Sequence, residues 1–119
     1  MGRPQTERPE GFSAVEINLL ILAAQEFRRF RIARPWSNQI RDAMGICGKH
    51  YGVKRADLIN DDRSPALVEI RLKVMAFVHV VTGKNYHEIG DEFERAHSAV
   101  IHACDKYEKA IRTALTPVE

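Results

Sequence analysis

The stretch from Leu67 to Val81 constrains this chain more than any other. Between Ser64-Pro65 and Thr82-Gly83 lie Leu67, Val68, Ile70, Leu72, Val74, Met75, Phe77, Val78, Val80 and Val81, which cover most of the circumference of a helix. A helix apolar nearly all round has no solvent face, so the rest of the fold must wrap around it. Ser64 as cap and Pro65 as first helical residue start it, and Thr82-Gly83 ends it. The β-branched residues of Val74–Val81 raise a strand as the rival. That run is too long, lacks period-two alternation and is bounded by helix signals. It also falls short of the roughly 18–20 apolar residues of a membrane span. His79 interrupts it, and Arg71, Lys73 and Lys84 flank it.

Five further helices are expected around this one. Residues 1–12 carry Gly2, Pro4, Pro9 and Gly11 without periodicity and are expected to be a flexible tail. Ser13 and Glu16 form a capping box, with Phe12 and Ile17 as its hydrophobic staple, opening an amphipathic N-terminal helix within segment 13–36. Val15, Leu19, Leu22, Phe27 and Phe30 mark its apolar positions, and Arg28, Arg29, Arg31 and Arg34 close it where the helix dipole favours cations. Ser37 is the expected cap of a second helix bearing Ile40, Met44, Cys47 and Tyr51, which Gly52 stops. A short third helix, Arg55 to Ile59, runs into the polar Asn60-Asp61-Asp62-Arg63. Beyond Gly83, Asn85 and Glu88 cap a helix of about two turns ending at Phe93. The link Glu94-Arg95-Ala96 leads to a last helix with Val100, Cys104, Tyr107 and Ile111 on one face. Six helices without strands predict an all-α protein, and 119 residues hold one core of ordinary size.

Charge narrows the choice of partner. Eighteen basic against sixteen acidic residues leave a net +2, well short of a polycation. The excess is +2 over residues 1–36 and +1 over 37–64, and the sign reverses to −1 over 65–119. A nucleic-acid partner must therefore be held by placed groups, not by bulk charge. Glu7 and Glu10 occupy the place of a signal peptide's apolar stretch, so a soluble, cytoplasmic protein with no membrane partner is expected. Cys47 and Cys104 lie on apolar helical stripes and read as small buried hydrophobes in a reducing compartment.

Catalytic chemistry finds little support. Gly48-Lys49 and Gly83-Lys84 lack the earlier glycine of a P-loop, so no nucleotide is expected. His50, His79, His87, His97 and His102 are never three or four apart, the spacing that aligns two histidine ligands on one helix. No metal, cofactor or catalytic residue is assigned, and an enzyme is not expected.

Segment 85–107, NYHEIGDEFERAHSAVIHACDKY, carries the functional reading. A short helix, a tight turn and a longer amphipathic helix make the helix-turn-helix plan, whose second helix enters the DNA major groove. Arg95, His97 and Ser98 lead that helix, where donors and the helix dipole meet phosphate or base oxygens. An ordinary helical hairpin with a polar, solvated end is the bland alternative.

The same residues resemble a known family. EIG-DEF-ERAHSAVIHAC is similar to the signature of the carboxy-terminal DNA-binding domain of DnaA, the bacterial replication initiator, and HYGVKRADLI resembles an upstream segment of that domain. The resemblance spans about residues 38–112, within an expected domain of 37–119. It implies a Trp-repressor-like helix-turn-helix fold, with the N-terminal helix as an addition. It also implies that Arg95, His97 and Ser98 touch bases and phosphates in the major groove, that Arg63 enters the minor groove, and that Arg71 contacts phosphate. Lys73 and Lys84 are assigned to phosphates beside them. Three of them have an alternative role: His97 as a helix cap, Ser98 as a helix-terminal hydroxyl, and Arg63 as a local partner of Asp61 and Asp62.

The departures from the family pattern are specific. Ala96 stands for an Asp, removing a base-reading group and a helix cap worth ~1 kcal/mol. Ala99 stands for a Thr, the turn lacks one family glycine, and Asp61-Asp62 replace cations in the loop. No ATPase sequence precedes residue 38, so a self-contained reader without the initiator's motor is expected. The leading expectation is a sequence-specific double-stranded DNA-binding regulator of transcription or replication. The rival is a protein-interaction module that keeps the fold without specific DNA binding. Leu19-Leu20-Ile21-Leu22 is apolar on more than one face, which leaves a homodimer through helix 14–33 as the alternative to simple packing.

Overall fold

The computed structural model describes residues 11–116. Among them the chain forms six helices and no strand: α1 (Ala14–Ala33), α2 (Gln39–Tyr51), α3 (Arg55–Ile59), α4 (Pro65–Thr82), α5 (Tyr86–Phe93) and α6 (His97–Leu115). The all-α expectation holds, and so does the central place of the apolar helix. α4 packs mainly against α6 and α2, and Val74, Met75, Ala76, Phe77 and Val78 form a continuous buried band. Pro65 stands at its start, and Gly83 ends it in the left-handed conformation at φ 70°, its N–H bonded to the His79 carbonyl.

α1 joins the same core. Leu20, Ala23, Ala24 and Phe27 bury its inner face, packed against α2 and α6. The capping box is present as expected: the Glu16 N–H donates to Ser13 Oγ at 3.1 Å and the Ser13 N–H returns to Glu16 Oε1 at 3.1 Å. Glu16 also accepts from Lys73 Nζ at 2.7 Å and Tyr51 Oη at 3.0 Å, tying α1 to α4 and α2. Burial by itself would raise its carboxyl, but these donors hold it below the ordinary glutamate range.

Two sequence expectations shift. The cap of α2 is Asn38, whose Oδ1 accepts from the Arg41 N–H at 3.0 Å, one residue later than the expected Ser37. Of the tail expected over 1–12, residues 1–10 lie outside the described residues, and Phe12 belongs to the core. It is buried and meets the Tyr107 ring edge-on at 5.3 Å between centroids. Its burial against Tyr107 fixes the direction from which the chain enters α1.

Candidate nucleic-acid interface

α5, the turn Glu94–Ala96 and α6 form the helix-turn-helix, and its tightness comes from one glycine. A Cβ added at Gly90 would stand 2.7 Å from the Arg95 carbonyl oxygen, so only glycine lets the turn lie against α5. The Arg95 N–H closes onto the Gly90 carbonyl at 2.9 Å. Glu94 occupies the left-handed region at φ 54°, the one non-glycine residue with positive φ among those described. A left-handed L-residue is strained by roughly 1–2 kcal/mol, of which glycine's larger unfolded-state entropy returns part. Glu94→Gly is therefore expected to stabilise the fold by about 0.5–1 kcal/mol, read as a raised urea midpoint. An unchanged or lowered midpoint would refute the strain.

Two arginines expected to touch DNA turn inward. Arg71 is 6% exposed. Its Nε donates to the Leu58 carbonyl at 3.0 Å, its Nη2 to the Asp57 carbonyl at 3.0 Å, and its Nη1 to the Asp62 carbonyl at 3.3 Å. Arg95, half-buried, reaches the Ile59 carbonyl with Nη1 at 2.7 Å and the Asn60 carbonyl with Nη2. Helix α3 has only five residues, so its carbonyls have no following turn to accept from, and the two guanidiniums supply the missing donors. Burial depresses the Arg71 pKa, with the nearby Arg95 charge acting in the same direction. Arg71 thereby latches α3 and the loop 60–64 onto α4, and Arg95 latches the junction of α3 and the loop onto the helix-turn-helix. Lys73 lies elsewhere: its ammonium is 2.7 Å from Glu16 with 12% of the side chain exposed, and it sits over the Phe12 and Tyr107 rings.

What remains outward makes a compact face. His97 and Ser98 are exposed in the first turn of α6. The cap, Ala96, has no side-chain hydrogen bond, so the first N–H groups of α6 have no side-chain acceptor and point outward with the positive end of the dipole. His87, exposed on α5, stacks on His97 with ring centroids 4.1 Å apart. His102 is exposed one turn beyond Ser98 on the same stripe of α6. Arg63 is exposed in the loop and, with Asp61, Asp62, Glu94 and Arg95, lines an open cleft of about 310 Å³ between the loop and the start of α6. The loop holds its shape locally. The Asp62 N–H donates to Asn60 Oδ1 at 3.0 Å, and the Ser64 N–H to Asp62 Oδ1 at 2.8 Å. That backbone donor keeps the Asp62 carboxyl below its usual value. Lys84 is half-exposed just before Asn85, whose Oδ1 caps α5 through the Glu88 N–H at 2.9 Å.

Of the seven residues named from the sequence, the structure thus gathers Arg63, Arg95, His97 and Ser98 around one face, with Lys84 at the head of α5. It commits Arg71 and Arg95 to the loop and Lys73 to the α1 cap. His87 and His102 were missed. The spacing of four from Ser98 marked His102, whereas His87 is brought in only by the turn. Glu92 bridges Arg41 Nε at 3.3 Å and Arg55 Nη2 at 3.2 Å. It accordingly fixes α5 against α2 and α3.

Comparison with known proteins agrees with this geometry. Residues 40–106 match the family model described as "Bacterial dnaA protein helix-turn-helix". The chain is 34% identical over 74 residues to the chromosomal replication initiator protein DnaA of Rhizobium meliloti (strain 1021), covering 61% of this chain and 15% of the relative. It is 34% identical over 74 residues to that of Agrobacterium fabrum, with the same coverage, and 32% over 80 residues to that of Mesorhizobium japonicum, covering 66% and 16%. The chain thus spans only about 15% of the length of these relatives. No solved structure matches it significantly. No helix of the described residues is long and apolar enough to cross a membrane. With its helix-turn-helix intact and more than half its length matched, the chain belongs to the bacterial DnaA helix-turn-helix family.

Proposed function

We propose that this chain reads double-stranded DNA as a regulator of transcription or replication, with His97 and Ser98 entering the major groove. The observation that carries this reading is the start of α6, where two exposed donors stand on an uncapped helix N-terminus within a DnaA-type helix-turn-helix. Arg63 supplies a guanidinium suited to a narrow minor groove, and Lys84 with the α6 N–H groups meets phosphates. Arg71 and Arg95 act as positioning residues that set the loop bearing Arg63 against the reading helix. The role is recognition without catalysis.

Selection of bound duplexes from a random pool tests it. A defined site is expected, with His97→Ala and Ser98→Ala each relaxing the preference at one or two base positions. Loss of one good base contact corresponds to roughly 1–3 kcal/mol of discrimination. Selection that returns random sequence, or a preference untouched by both variants, would refute major-groove reading.

A second reading, a protein-interaction module on the same fold, is favoured by the acidity beside Arg63, where Asp61, Asp62 and Glu94 line the same cleft. Asp61→Lys with Asp62→Arg separates the two. Gain of DNA binding by a chain that otherwise shows none would favour the module. Self-association through α1 is a subordinate proposal, supported by exposed Val15, Leu22 and Ile32 on that helix. Light scattering is expected to give the mass of two chains, and the mass of one would remove it.

A further inference from the structure

We propose that His79, Cys104 and Glu108 form a three-ligand site for a divalent cation of the zinc class, bridging α4 and α6 about two turns along α6 from the residues proposed to read DNA. Cys104 and Glu108 are one turn apart on α6, and His79 faces them from the last turn of α4. One donor atom from each, including Cys104 Sγ, lies within 4.8 Å of the other two. His79 Nε2 and Glu108 Oε1 are already 3.8 Å apart. Tetrahedral zinc with bonds of about 2.0–2.3 Å needs ligand separations of roughly 3.3–3.6 Å, so side-chain rotations of under about an ångström close the site. A mixed nitrogen, thiolate and carboxylate set suits zinc and cobalt(II) better than magnesium or calcium.

The surrounding hydrogen bonds orient the ligands as a metal site requires. His79 Nδ1 is 2.9 Å from the Lys84 carbonyl, which only accepts, so Nδ1 carries the proton and Nε2 presents its lone pair to the site. A ligating histidine commonly has its other nitrogen held in this way. Arg112 Nε donates to Glu108 Oε2 at 2.8 Å, leaving Oε1 turned toward His79. An open cleft of about 400 Å³ beside Cys104 and Glu108 leaves room for water as a fourth ligand. Burial pushes the Cys104 thiol up to about 12. A cysteine ligates zinc as the thiolate, so binding releases the Cys104 proton to solvent with no change of oxidation state. The filled site joins a dication to a thiolate, a carboxylate and a neutral imidazole, with Arg112 holding the outer carboxylate oxygen. It pins the end of α4, and through Lys84 the turn into α5, to α6 about 10 Å along the helix from His97.

Cobalt(II) titration of the full, untagged chain tests the site. One equivalent is expected to bind, with a near-ultraviolet thiolate charge-transfer band and the visible bands of tetrahedral cobalt. Cys104→Ser is expected to abolish the charge-transfer band, and Glu108→Gln to weaken binding at least tenfold. Zinc should raise the thermal midpoint of the natural chain and leave that of Cys104→Ser unchanged. Glu108→Gln lies at a partly exposed position and carries the test if Cys104→Ser does not fold. Failure to retain stoichiometric cobalt at micromolar free metal, or a spectrum unaltered by these variants, would overturn the proposal.

Discussion

Arg71→Ala is expected to destabilise the protein by about 2–4 kcal/mol, a large loss for a charged side chain. The native guanidinium spans the carbonyls of Asp57, Leu58 and Asp62, and truncation leaves them without their donor in a site that is 6% exposed. Hydrogen bonds to a charged group contribute roughly 1.5–3 kcal/mol each, but those of one guanidinium are not additive, and the exposed loop regains part through water. Arg71→Lys should restore little, because an ammonium cannot span three carbonyls as a planar fork does. Arg63→Ala, at an exposed position in the same loop, should stay within about 0.5 kcal/mol. Urea unfolding of the three variants checks this. Equal losses for Arg71→Ala and Arg63→Ala, or full rescue by lysine, would contradict the latch.

Gly90→Ala is expected to lose about 1–3 kcal/mol and, in addition, to weaken any DNA complex. The new methyl would meet backbone, the Arg95 carbonyl at 2.7 Å, with no flexible side-chain end to move aside. The turn must back away from α5, carrying His97 and Ser98 with it. Gly45→Ala in α2 is the control: nothing lies within 4 Å of its added Cβ, so replacing a helical glycine should stabilise by up to about 1 kcal/mol. Opposite signs for the two substitutions are the expected result. Two stabilising effects would show that the close crossing is not what Gly90 serves.

The fold was legible because its signals are local. The Ser13–Glu16 box, Pro65, Gly83 and Asn85 each act within one turn, and the apolar girth of α4 required a central position. The Ser37 cap was misplaced because Asn38 offers the same chemistry one residue later. The site was legible only in part, since a charged residue's role depends on what it faces. Arg71 stands on a helix whose other side chains gave no sign that the carbonyls of a five-residue helix lay opposite. Lys73 likewise turned on Phe12 and Tyr107, 61 residues before and 34 after it in the chain. His79, Cys104 and Glu108 meet only when α4 packs on α6, so no spacing along a single helix brings all three together. Placement also reframes the net charge of +2. With Arg71, Arg95 and Lys73 committed internally, the cations left for DNA are fewer than the count suggests.

That scarcity makes the salt dependence of DNA binding the most direct test of the account. With Arg63 in the minor groove and Lys84 and the α6 N-terminus on phosphates, fluorescence anisotropy on the selected duplex should give a log–log salt slope of about −2 to −3. Arg63→Ala should lower its magnitude by roughly 0.9, the share of one cation that displaces counterions from the duplex. No binding at low salt, or a slope that Arg63→Ala leaves unchanged, would contradict DNA reading by this face.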